Sequence, residues 1–123
     1  MTRILICMYS RNINEFVPLC HDQEKMICVE LFYDTNLDEY VERIHALMCN
    51  DKNILLCDEW GGSPFLGALI AGGRIGSPVI TDVDVALCKK IISLISEGND
   101  PEALSEIIPS SQYIDLSKIN EGI

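Results

Sequence analysis

The stretch ILLCDEWGGSPFLGAL, Ile54 to Leu69, decides the fold. It opens on four consecutive apolar residues. A strand with one face in water alternates apolar and polar side chains, so an unbroken run points to a strand covered on both faces. Asp58 ends the run, and Gly61-Gly62 turn the chain. Ser63-Pro64 then starts a helix, with serine as N-cap and proline in the first turn. Strand, tight turn and helix in direct succession form the unit of a parallel α/β sheet. This unit ends its strand on an acid, a tryptophan and two glycines. The helix N-terminus that follows has free N–H groups and a dipole that favour an anion. The same residues also make a sound turn and cap with no ligand at all.

The pattern repeats on either side. Ile4 to Met8 is a second continuous apolar run, and Met26–Phe32 and Val79–Ile80 are further strands. Asn36 caps a helix, with Glu39 completing a capping box. Leu37, Val41, Ile44 and Met48 share one face of that helix. The helix from Ser63 is expected to end at Gly72-Gly73. Val85, Cys88, Ile92 and Ile95 form another stripe, stopped near Gly98, and Asp100-Pro101 starts a short helix to about Ile108. Residues 11–22 read as a first helix, although Pro18 interrupts it. Gln112 to Leu116 reads as a last strand or as an arm laid on a partner subunit. This order predicts an α/β, doubly wound, mainly parallel open sheet with helices on both faces. It forms a single domain, 1–123.

With 123 residues the chain is long enough to bury a core. Its 48% hydrophobic and 23% charged residues exclude a disordered chain. A net charge of −10 argues against nucleic acid and anionic membrane surfaces, which reward clustered Lys and Arg. No apolar run is long enough to cross a bilayer. The six cysteines show neither C-x-x-C nor zinc spacing, so no metal is expected, and nothing calls for a cofactor. The opening MTRILIC is too short for a secretory signal. The expectation is a reduced, cytoplasmic protein.

In open parallel sheets, ligands bind beyond the carboxyl ends of the strands. The candidates there are Ser10 and Arg11 after the first strand, and Asp58, Gly61, Gly62 and Ser63 after the third. Glycine lets the backbone approach a ligand, Asp58 is placed to orient a donor or base, and Arg11 is suited to grip an anion. Asp82 and Asp84 add carboxylates at the fourth strand, Asp84 as a helix cap. Trp60 is either a contact residue or packed down.

These residues carry a resemblance. ILLCDEWGGSPFLGAL resembles the third strand, active loop and helix of the mannose-family IIA domains of the bacterial sugar phosphotransferase system. There an Asp, a variable residue and Trp-Gly-Gly-Ser-Pro-Phe recur. MTRILICMYS resembles the family's opening strand and PVITDVDVALCKKIISLI its fourth strand and next helix, so the likeness covers most of residues 1–97. It implies a cytoplasmic α/β homodimer that takes a phosphoryl group from the carrier HPr onto a histidine and passes it to a IIB partner beside a membrane permease. It also implies that Asp58 orients the histidine and that Ser63, with adjoining amides, holds phosphoryl oxygens.

One position departs from the pattern. The family has Gly-Thr-His-Gly at the first strand tip, and here Ser10 stands at the histidine position. A serine hydroxyl needs an activating base, and a phosphoserine, being a low-energy ester, traps the group instead of passing it to an imidazole. The two histidines, His21 and His45, read as a helix-closing residue and an exposed helix residue. Three expectations follow: a IIA-like component in the transfer from HPr towards a IIB partner, active or, with Ser10 in place of the histidine, inactive; a working phosphocarrier that uses another residue; or a non-catalytic regulatory or anion- and small-molecule-binding module on the same scaffold.

Overall fold

A computed structural model describes residues 1–22 and 24–117; Gln23 and residues 118–123 of the expected domain lie outside it. Four strands run parallel: β1 (Thr2–Tyr9), β2 (Met26–Leu31), β3 (Lys52–Leu56) and β4 (Val79–Ile80). The fifth, β5 (Tyr113–Ile114), pairs antiparallel with β4, so the tail is a last strand of its own sheet. The order across the sheet is β2-β1-β3-β4-β5.

The unbroken apolar runs have a simple cause. Side chains on a strand alternate between faces, and both faces are covered. Ile4, Ile6 and Met8 of β1, with Ile54 and Leu56 of β3, enter one core with Ile13, Phe16, Cys88, Ile91 and Leu104. Leu5, Cys7 and Leu55 enter the other, with Tyr40, Val41, Ile44, Phe65, Ala68 and Ala71. The first core lies under α1 (Ser10–Ile13) and α4 (Val85–Ser96), the second under α2 (Leu37–Leu47) and α3 (Ser63–Ile75). Helices therefore cover both faces, as the doubly wound reading requires.

Local signals acted as expected at two helix starts. Asn36 Oδ1 accepts from the Glu39 amide at 2.8 Å, and its Nδ2 donates to Glu39 Oε1 at 3.2 Å. Asp84 Oδ1 accepts from the Leu87 amide at 2.7 Å and opens α4. Asp84→Ala is expected to destabilise the domain by about 1 kcal/mol, the usual cost of a lost N-cap, read as a lower urea midpoint at unchanged slope. An unchanged midpoint would show that the cap contributes nothing.

Four expectations need correction. Residues 11–22 do not form one helix: α1 stops at Ile13 and a 3-10 turn, Val17–Leu19, follows with Pro18 in its first turn. Proline lacks the N–H a continuing helix needs, but its fixed φ suits a new first turn. The third helix does not end at Gly72-Gly73. It runs on to Ile75 and closes at Gly76, whose φ of 74° is left-handed. Gly72 answers to packing instead, since a Cβ there would sit 2.8 Å from Leu55 Cδ1 and 3.0 Å from the Ser77 carbonyl oxygen. Finally, Gly62 is the N-cap of α3 and Ser63 the first helical residue, with no side-chain cap bond. The helix after Asp100 is a 3-10 segment, Pro101–Glu106. Among the described residues, no helix is long and apolar enough to cross a membrane.

Candidate functional site

β1 and β3 are neighbours, yet the chain leaves them in opposite directions, towards β2 and towards β4. That makes the carboxyl ends of β1 and β3 the switch point, where parting loops open a crevice. β1 runs directly into α1, so Ser10, Arg11 and Asn12 stand at its tip. Beyond β3 come Cys57, Asp58 and the loop to α3. The sequence candidates Ser10, Arg11, Asp58, Gly61, Gly62 and Ser63 therefore collect at one end of the sheet.

Asp58 is half-buried, and its Oδ2 accepts a hydrogen bond from Asn12 Nδ2 at 3.0 Å. That bond joins the two loops across the switch point. Beside it lies a cleft of about 510 Å³, lined by Arg11, Asn12, Glu15, Phe16, Asp58 and Asp84 among others. Its rim carries three carboxylates against one guanidinium. The Arg11 guanidinium sits 4.8 Å from the centre of the Tyr9 ring, a cation–π contact. Asp82 is exposed, with a left-handed φ of 55°, and the Gln112 amide bonds its carbonyl at 3.2 Å.

The glycine loop forms the other side. Gly61 has φ of 86°, a conformation that favours glycine. Gly62 is different. Its φ of −78° suits any residue, and an added Cβ would make only ordinary contacts, 3.7 Å to Pro64 Cδ and 4.0 Å to the Tyr9 ring. Neither backbone nor packing requires glycine at 62, and its effect is to leave the N-terminus of α3 uncovered. The orphan amides at that helix start are those of Gly62, Ser63 and Phe65, because Pro64 has none. Trp60 is 64% exposed and rests one face on Phe65, with ring centroids 4.7 Å apart. It is a surface residue held in place.

Both histidines are remote from this site. A helix that follows a parallel strand runs back along it, so the last turn of α2, with exposed His45, lies at the amino end of the sheet. His21 is exposed in the loop that leads into the start of β2, at that same end. The thiols nearest in sequence are inert. Cys7 has no exposed surface and burial pushes its thiol up to about 12, while burial also raises Cys57 well above its ordinary value.

Asn12 was not singled out, because nothing local marks it as the partner of an aspartate 46 positions on. Tyr33 was missed. It follows β2, is 93% exposed, and borders a small hollow of about 190 Å³ with Tyr9 and Arg11. Its position just past a strand read to end at Phe32 was the available signal.

No family model matches the chain, and no curated protein sequence does.

Proposed function

We propose that the chain is a IIA-like component of a bacterial sugar phosphotransferase system that keeps the scaffold and loop of a phosphotransfer site but does not itself carry the phosphoryl group. One observation carries the reading: the Asp58 carboxylate, which in the resembling family orients a phosphoacceptor histidine, is engaged by the Asn12 amide at 3.0 Å. An amide nitrogen donates to the carboxylate but has no nucleophilic lone pair to take a phosphoryl group. Ser10 stands at the histidine position, and both histidines of the chain are at the far end of the sheet.

On this reading the crevice is a docking face. The unforced glycine at 62 and the exposed Trp60 support it, since both leave the loop open to contact. The partners are HPr and a IIB-type protein, met in the cytoplasm by a homodimer that works beside a membrane permease without entering the bilayer. Adding HPr or the IIB-type protein to isotope-labelled chain is expected to shift amide resonances of Tyr9–Asn12 and Asp58–Leu66. Shifts confined to other surfaces, or none with either protein, would overturn the docking role.

The cleft of about 510 Å³ with Arg11 at its rim favours a second reading, a regulatory module that binds an anion or small molecule. Inorganic phosphate would then shift Gly62, Ser63 and Arg11. The carboxylates of Glu15, Asp58 and Asp84 oppose an anion there, which ranks this reading second.

A further inference from the structure

Away from the crevice, two cysteines meet. Cys20 follows the 3-10 turn Val17–Leu19, and Cys28 lies in the edge strand β2, level with Ile6 of β1. Their Sγ atoms are 3.2 Å apart. A disulfide needs about 2.05 Å, so the sulfurs are roughly 1 Å from bonding distance. Both residues are half-buried. The remaining thiols differ: Cys7, Cys57 and Cys88 are buried, and Cys49 donates to the Lys52 carbonyl at 3.2 Å. The pair is thus the one place where two thiols combine contact with partial access.

We propose that Cys20 and Cys28 form a reversible disulfide on exposure to a hydroperoxide, with Cys20 as the attacking thiol and Cys28 as the resolving thiol. The Cys20 sulfur bonds to the terminal peroxide oxygen, the O–O bond breaks, and the departing oxygen leaves as an alcohol or water with the Cys20 proton. The resulting sulfenic acid is attacked by the Cys28 sulfur. The S–S bond forms as the S–O bond breaks, and water leaves with the Cys28 proton. Two thiols lose two electrons in total and the peroxide is reduced. Either thiol can donate across the 3.2 Å contact, and the order of attack follows from the Cys20 thiol turning to the Phe16 carbonyl at 3.8 Å: Cys28 then donates, which holds the Cys20 thiol below its usual range, while the contact and burial push Cys28 up.

The bond would tie the end of the α1 and 3-10 segment to the sheet. That segment carries Arg11, Asn12, Glu15 and Phe16 of the cleft wall. Oxidation therefore pins one wall of the cleft, whatever the cleft binds.

The test uses the reduced 123-residue chain, treated while folded with equimolar hydrogen peroxide, alkylated in denaturant and digested with trypsin. Lys25 separates the two cysteines, so cleavage puts Cys20 in peptide 12–25 and Cys28 in peptide 26–43, each with no other cysteine. The expected product is these two peptides joined, lighter by two hydrogen atoms and separable by reductant. Full alkylation of both cysteines, or linkage to any other cysteine, would overturn the proposal. In Cys28→Ser a dione specific for sulfenic acid is expected to label Cys20. In Cys20→Ser, labelling of Cys28 at the same rate would overturn the order of attack. Amide exchange over residues 12–19 is expected to slow in the oxidised chain, and unchanged exchange would overturn the pinning of the wall.

Discussion

The double variant Ser10→His, Asn12→Ala is expected to take up phosphoryl label from HPr, with phosphoenolpyruvate and the first enzyme of the system present, where the wild-type chain takes none. Ser10 is the first residue beyond β1, beside the crevice that Asp58 borders. An imidazole at position 10 supplies the nucleophile, and removing the Asn12 amide frees the carboxylate now bonded to it at 3.0 Å. A hydrogen bond to a charged group is worth about 1.5–3 kcal/mol. If Asp58 spends that on orienting the imidazole in the transition state, the single variant Ser10→His should be labelled roughly tenfold to a hundredfold more slowly than the double variant. Asp58→Asn in the double variant should lose the same factor. Equal rates in the single and double variants would show that Asn12 does not compete for Asp58. No label in the double variant, with HPr itself fully labelled, would mean the crevice has lost more than its histidine.

The largest stability effect is expected at Tyr40. This tyrosine has no exposed surface, and its hydroxyl donates to the Val29 carbonyl of β2. Its ring fills the space that Gly67 leaves: a Cβ at 67 would lie 2.7 Å from Tyr40 Cδ2. The residue thus locks α2 to α3 and both to the sheet. Tyr40→Ala removes a large aromatic from a close-packed site and is expected to cost about 3–5 kcal/mol. Against the usual total of about 5–15 kcal/mol, that leaves the fold marginal. Tyr40→Phe keeps the ring but strands a carbonyl acceptor, at about 1–3 kcal/mol. Urea unfolding checks both, and a loss under about 1 kcal/mol for Tyr40→Ala would contradict this packing.

Much of the fold was legible because its signals are local. The runs Ile4–Met8 and Ile54–Cys57 report burial on both faces without reference to any neighbour. Asn36 and Asp84 cap helices through contacts three residues away. What was misread depends on distant partners. Gly72 has the composition of a helix stop, but its glycine answers to Leu55, Ser77 and Leu116. Pro18 sits in the first turn of a separate 3-10 segment, and the helix before it has already stopped at Ile13. The site divides in the same way. Asp58, the glycines and Ser63 were found in one contiguous string. Asn12 and Tyr33 were not singled out, because Asn12 meets Asp58 only once β1 lies beside β3, and Tyr33 borders its hollow with Tyr9 and Arg11 only once β2 lies beside β1.

The proposed function holds that this crevice keeps a phosphotransfer loop and lacks a phosphoacceptor. It is tested most directly by the wild-type chain itself, incubated with radiolabelled phosphoenolpyruvate, the first enzyme of the system and HPr. The predicted result is label on HPr and none on this chain. Stoichiometric label on the chain, at Ser10 or at either histidine, would contradict it.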